Sequence, residues 1–101
     1  MEYIFLLALG IVMIVLSVPG LKGNASTVHW YNRRRVSKED MSKYGRAMGA
    51  GSLIIGAAAA ATAVLQMIFD LEAIFYLLAG GVLAGLAVMI YAQFKYNKGI
   101  F

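Results

Sequence analysis

The chain has 101 residues, of which 61% are apolar, and its mean hydropathy is +0.76. A small soluble domain buries only about 60% of its unfolded surface, so it cannot hide this much apolar side chain. Only 14% of the residues are charged, roughly half the usual globular share, and the formal net charge is +4. The composition therefore excludes an ordinary soluble domain, and a sequence without cysteine excludes disulfides and cysteine chemistry.

Three uncharged stretches predict an all-α fold, a single transmembrane domain built as a three-helix bundle. The predicted spans cover residues 3–20, 47–69 and 73–94. The first span is short and reaches Pro19 and Gly20, a pair that favours the end of a helix. The start of the chain lacks the basic region of a secretory signal, so we expect this span to be retained.

Very few residues separate the second and third spans. Only Asp70, Leu71 and Glu72 are present to turn the chain, which predicts an antiparallel hairpin. Orientation follows from the basic residues, since all nine lie in the loop 21–46 or after the third span. Cytoplasmic loops carry the excess of Lys and Arg. We therefore expect a multi-pass protein of the plasma membrane with its N-terminus outside and its C-terminus in the cytoplasm.

The end of the basic loop has a helix-start pattern. Ser37 followed by Asp40 fits an N-cap with an acidic partner, which predicts a helix that begins near Lys38 and continues into the second span. The second span would then extend into the cytoplasm. Met41, Tyr44 and Met48 share one face of its first turns, and that face packs either on the membrane surface or against the other helices.

Small residues in the second and third spans indicate close helix packing. Lipid tails are as apolar as the helices, so helices in a bilayer associate through close packing, and small residues let their backbones approach. The candidate packing residues are Gly45, Gly49, Ser52, Gly56, Gly81 and Gly85. One interpretation is that these two seams close the hairpin between the second and third spans. The other is that one seam faces a second copy of the chain or a partner protein.

Polar residues form a line near the far end of the second span. Thr62, Gln66 and Asp70 follow one another at four-residue spacing and predict a polar vestibule or a ligand contact. Ordinary structure explains them as well, through a hydroxyl bonded to its own helix, an interhelical hydrogen bond and a solvated acid. The spans contain no ionisable residue. Small multidrug transporters, by contrast, use four spans and a membrane-embedded glutamate.

The basic loop carries an aromatic and basic cluster that suits anionic lipid headgroups or a partner protein. Its residues are Trp30, Tyr31, Arg33, Arg34, Arg35 and Lys38. The loop is too short to provide the folded basic surface that nucleic-acid binding needs. The sequence has a single histidine, His29, and no base, nucleophile and orienting group that would share a site, so we predict no enzyme activity, cofactor or metal.

Parts of this loop resemble a known family. Tyr31-Asn32, Val36 to Glu39, Lys43-Tyr44 and Met48-Gly49 are similar to the signature of short bacterial three-span membrane proteins that form a domain family of unknown function. The triplet from Arg33 to Arg35 departs from that pattern. The layout is also distantly similar to SdpI-type membrane proteins, some of which give immunity against a toxin and relay its presence to a repressor. The resemblance implies a three-span layout and brings no established active residue.

Two functions fit the sequence. The first is a non-enzymatic accessory, immunity or signalling component that acts through helix packing and its basic loop. The second is an oligomeric channel or small-solute transporter with Thr62, Gln66 and Asp70 at its mouth. It requires several copies, because three helices of this size leave no room for a pore.

Overall fold

A computed structural model describes residues 3–23 and 36–97, and every element within these ranges is helical. Helix α1 covers Ile4–Leu21, α2 covers Met41–Phe69 and α3 covers Phe75–Tyr96, with a short 3-10 helix at Glu72–Ile74 before α3. The three helices are long and apolar enough to cross a membrane. The prediction of an all-helical chain with three such helices is confirmed.

Helices α1 and α3 are about as long as the hydrocarbon core of a bilayer is thick, and α2 is longer. At 1.5 Å per residue, α1 is about 27 Å long and α3 about 33 Å, close to a hydrocarbon thickness of about 30 Å. Helix α2 has 29 residues and is therefore about 44 Å long. The additional turns lie at its N-terminal end, where the sequence predicts an extension of the second span.

Helix α2 begins slightly later than the sequence predicts. Residues 38–40 form a turn, and the Asp40 backbone N–H donates a hydrogen bond to Ser37 Oγ at 3.2 Å. The Tyr44 N–H then donates to the Asp40 carbonyl at 2.8 Å. Ser37 therefore accepts the hydrogen bond that its spacing to Asp40 predicts, but it caps the turn before the helix. The α-helix starts at Met41 instead of near Lys38, and its N-cap residue is Asp40.

Helix α1 does not end at its proline. Pro19 lies inside the last turn, and the Lys22 N–H donates to the Val18 carbonyl at 3.1 Å. Proline removes only its own N–H, so the N–H groups that follow it can still bond back along the helix. The left-handed backbone that ends the helix occurs at Gly23, with a φ of +90°. The helix therefore continues past Pro19 and ends at Leu21, one residue beyond the predicted end at Gly20.

Helix α2 lies at the centre of the arrangement and packs against both α1 and α3, whereas α1 and α3 have little direct contact in the described ranges. The α2–α3 connection is the predicted hairpin turn. Asp70 has a φ of +50° and its N–H donates to the Gln66 carbonyl at 3.0 Å, while Leu71 is extended. We call this end of the bundle the turn end and the end with Met41 and Tyr96 the loop end.

A small apolar core lies at the loop end. Val36, Tyr44, Met48 and Ala92 are buried together, and Met41, Met89 and Tyr96 pack against them. The face of α2 that carries Tyr44 and Met48 therefore packs against other parts of the chain and not along a membrane surface. Tyr44 is fully buried, so it is a core residue.

Candidate functional site

One seam of small residues joins α1 to α2. A Cβ atom added at Gly10 would lie 2.6 Å from the Ala60 backbone N, and one at Gly20 would lie 2.7 Å from the Gly45 carbonyl O. Ser52 Oγ donates a hydrogen bond to the Met13 carbonyl at 3.4 Å across the same seam. These backbones are in contact because glycine places nothing between them.

The other predicted members of this series follow the same seam. A Cβ at Gly49 would lie 2.8 Å from the Leu21 backbone N, and one at Gly56 would lie 2.8 Å from the Gly10 carbonyl O. The packing residues of the second span therefore face α1. The expectation that this series closes the hairpin with the third span is wrong.

A second seam joins α2 to α3. A Cβ at Gly85 would lie 2.6 Å from the Gly51 carbonyl O, and one at Gly81 would collide with the Ala58 side chain. Gly81 and Gly85 thus close the hairpin as predicted, but their partners on α2 are Gly51 and Ala58. At about 100° per residue, Gly51 lies about 240° around the helix from Gly45, so α2 has two separate faces of small residues.

Sequence reasoning missed Gly10, Gly20 and Gly51 as packing residues. Gly10 and Gly20 are ten residues apart, with the buried Ser17 between them, and the spacings of seven and three place all three on one face of a helix. A search restricted to four-residue spacing overlooks this pattern. A search for any small residues that share a helical face would have found it.

Helix α3 has an open face on the side away from α2. We define the open face of α3 by Gly80, Leu83, Ala84 and Ala87, all of which are exposed. Among the described residues, a Cβ added at Gly80 would meet nothing within 4 Å. Only 6% of the most apolar stretch of this helix is buried, against 33% for α2. The open face therefore carries small residues that residues 3–23 and 36–97 leave uncovered.

The predicted polar line divides into a buried part and an exposed part. Thr62 is 0% exposed and Gln66 is 2% exposed, whereas Asp70 is exposed at the turn. Thr62 Oγ1 and both polar atoms of the Gln66 side chain lack a hydrogen-bond partner in the described part of the chain. Within the described residues, the structure therefore shows neither the bond from the hydroxyl to its own helix nor the interhelical hydrogen bond of the alternative interpretation.

Tyr3 contacts the α2–α3 connection at the turn end. Its hydroxyl donates a hydrogen bond to Asp70 Oδ1 at 3.4 Å, and its ring lies 6.3 Å from the Phe75 ring at an angle of 48°. This contact connects the start of the described chain to the α2–α3 turn. Gln66 lies one helical turn below Asp70 on the same side of α2.

Another buried polar group, which sequence reasoning missed, lies near the loop end. Gln93 is 7% exposed and its Oε1 lacks a partner among the described residues. A glutamine one residue before the predicted end of a span is typical of the membrane interface, so the sequence offers no signal of its burial.

Little of the basic loop cluster can be placed. Five of its residues lie outside the described ranges: Trp30, Tyr31, Arg33, Arg34 and Arg35. Of the motifs that carry the family resemblance, Tyr31-Asn32 lies outside them as well. Lys38 is exposed in the turn before α2. At the same end of the bundle, Lys95 Nζ lies 5.4 Å from the centres of the Tyr91 and Tyr96 rings, within range of a cation–π contact.

Taken together, these observations define an all-α chain whose three helices are each suited to crossing a membrane. Within residues 3–23 and 36–97, no group of three or more His, Cys, Asp or Glu side chains is placed to hold a metal ion. No family model matches the chain, and no match was found among curated proteins or solved structures. The resemblance to bacterial three-span proteins therefore stays a prediction.

Proposed function

We propose that this chain is a multi-pass protein of the plasma membrane with its N-terminus outside and its C-terminus in the cytoplasm. The lengths and apolar character of the three helices support insertion. In the sequence, all nine basic residues lie between the first and second spans or after the third span, and this supports the orientation because basic loops are retained in the cytoplasm. In this arrangement the turn end faces outward.

Within the membrane, we propose a non-enzymatic role as an accessory, immunity or signalling component that associates with another transmembrane helix. The open face of α3 is the observation that carries this proposal. The glycines of the two internal seams are already used inside the chain, whereas Gly80 has open space around it. Small residues favour association in a bilayer because they let helix backbones approach closely.

At the cytoplasmic surface, the basic loop is proposed to bind anionic lipid headgroups. Each Lys or Arg near such a surface contributes about 1 kcal/mol of attraction. The exposed position of Lys38, just before α2, supports this proposal, and Lys95 lies at the same end. The loop would then fix the depth and orientation of the bundle while the open face of α3 makes the protein contact.

Cross-linking in the membrane tests the association, and the cysteine-free sequence makes each engineered thiol unique. With a thiol-reactive photo-cross-linker, Gly80→Cys and Ala84→Cys are expected to give one discrete product. Leu9→Cys is the matched control, since Leu9 is 54% exposed on α1. A product of twice the chain mass identifies a second copy, and any other discrete mass identifies a different protein.

The control decides whether the product is specific. Equal yields from Leu9→Cys and Gly80→Cys would mean random collisions in the bilayer and would contradict an association through α3. Adding Gly80→Leu to the Ala84→Cys variant is expected to lower the yield of the cross-linked product at least tenfold, because a bulky side chain would keep a partner backbone away from the open face.

A further inference from the structure

We propose that Thr62 and Gln66 form a binding site inside the bundle for a small neutral molecule that both donates and accepts hydrogen bonds, water being the smallest. The proposal goes beyond the association through α3, which uses neither residue. It begins from three polar atoms, Thr62 Oγ1, Gln66 Oε1 and Gln66 Nε2, that lack partners in the described chain although both side chains are at least 98% buried.

An unpaired amide and an unpaired hydroxyl are unfavourable in an apolar interior. Nearly all buried polar groups in folded proteins have a partner, either a protein group or a bound water. In the core of a bilayer, no bulk water is present to form hydrogen bonds with an unpaired group. The protein therefore gains stability if a small molecule enters and satisfies these groups.

The geometry of the pair suits a single bridging molecule. Residues four apart on a helix have Cβ atoms about 5–6 Å apart. A single molecule that hydrogen-bonds to both side chains would therefore bridge two successive turns of α2. Ala59 and Ala63 are buried on the same side of α2, and their side chains add no polar group to this region.

The chemistry of the pair selects a neutral ligand. A glutamine amide offers both donors and acceptors, and a threonine hydroxyl can do either. Neither side chain carries a charge that would balance a buried ion, and an unbalanced ion in such a site is strongly unfavourable. Asp70, the next residue along the line, is exposed at the turn.

Entry is from the turn end. Gln66 lies one turn from Asp70, and the contact between Tyr3 and Asp70 is the cover over that end. The 3.4 Å separation is at the long limit for a hydroxyl donor, so this hydrogen bond is a weak one.

Nuclear magnetic resonance on the full chain in lipid nanodiscs tests the site directly. The sequence contains two glutamines, Gln66 and Gln93, so a sample labelled with ¹⁵N-glutamine gives two side-chain amide signals. The Gln66→Leu variant assigns them by removing one. We expect the Gln66 amide protons to show a cross-peak to water and to remain sharp in the presence of a water-soluble gadolinium chelate.

Substitutions then test the pair. Thr62→Val, which keeps the side-chain shape, is expected to reduce the water cross-peak of Gln66 at least twofold. Ser17→Ala is the matched control, because Ser17 Oγ is buried but already donates to the Ile14 carbonyl, and it should leave the cross-peak unchanged.

Three results would overturn the proposal. A sharp Gln66 signal without a water cross-peak would mean a dry site, and a signal broadened by the chelate would mean direct exposure to bulk water. As an independent measurement, Gln66→Leu should lower the thermal unfolding midpoint, since it removes a satisfied hydrogen bond. A midpoint that stays or rises would show that the amide has no ligand in the resting protein.

Discussion

Gly56→Ala is expected to destabilise the bundle by about 1–3 kcal/mol, the usual effect of forcing atoms into a closely packed site, and Gly56→Leu by more. The added Cβ would lie 2.8 Å from the Gly10 carbonyl O and 3.0 Å from the Ile14 backbone N. Both neighbours are backbone atoms, so they can move only if α1 shifts away from α2. Unfolding in mixed detergent micelles, followed by circular dichroism, measures the loss.

Gly80→Ala is the matched control, since nothing lies within 4 Å of its added Cβ. We expect it to leave stability unchanged or to raise it by about 0.5–1 kcal/mol, because alanine favours a helix more than glycine does. Equal losses at Gly56 and Gly80 would contradict the packing argument, because helix propensity favours alanine at both positions and only Gly56 is closely packed. The comparison also separates folding from association, because Gly80 is proposed to matter only for the partner.

The elements of this fold could be predicted from the sequence because each has a local cause. Uncharged runs of about 20 residues predict spans, and three residues between two such runs leave only a hairpin. The cap at Ser37 was predictable for the same reason, and its hydroxyl accepts the expected hydrogen bond. Pro19 shows the limit of a local rule, since a helix can pass a proline near its end when a better terminator follows at Gly23.

Which faces meet could not be predicted. Four-residue spacing identifies a face of α2 at Gly45 and Gly49, but it contains no information about which helix lies against that face. The answer depends on the matching glycines of α1, Gly10 and Gly20. Two seams on one central helix are a property of the assembled bundle, and the sequence of α2 by itself is compatible with several arrangements.

The candidate polar site was predictable only as a pattern. The spacing of Thr62 and Gln66 places them on one side of a helix, but their burial depends on the neighbouring helices. Their lack of hydrogen-bond partners depends on the side chains of those helices, which are mainly apolar. The distinction between a solvated vestibule and a closed, unsatisfied pair therefore requires the structure.

Labelling of single cysteines is expected to give all-or-none results if the proposed topology is correct. In intact cells, Leu71→Cys should react with a membrane-impermeant maleimide, because Leu71 is 56% exposed at the turn end, which is proposed to face outward. Ser42→Cys, at an exposed position near the loop end, should react only after the cells are permeabilised. Labelling is measured by the mass shift of the purified chain.

Leu83→Cys separates membrane insertion from orientation. Leu83 is 69% exposed on the open face of α3, so its thiol would react readily if that face were in water. Maleimide reacts with the thiolate, and a thiol surrounded by hydrocarbon remains protonated. We therefore expect it to stay unlabelled in vesicles, even after permeabilisation. Rapid labelling there would contradict insertion of α3, whereas labelling of Ser42→Cys in intact cells would leave insertion standing and reverse the orientation.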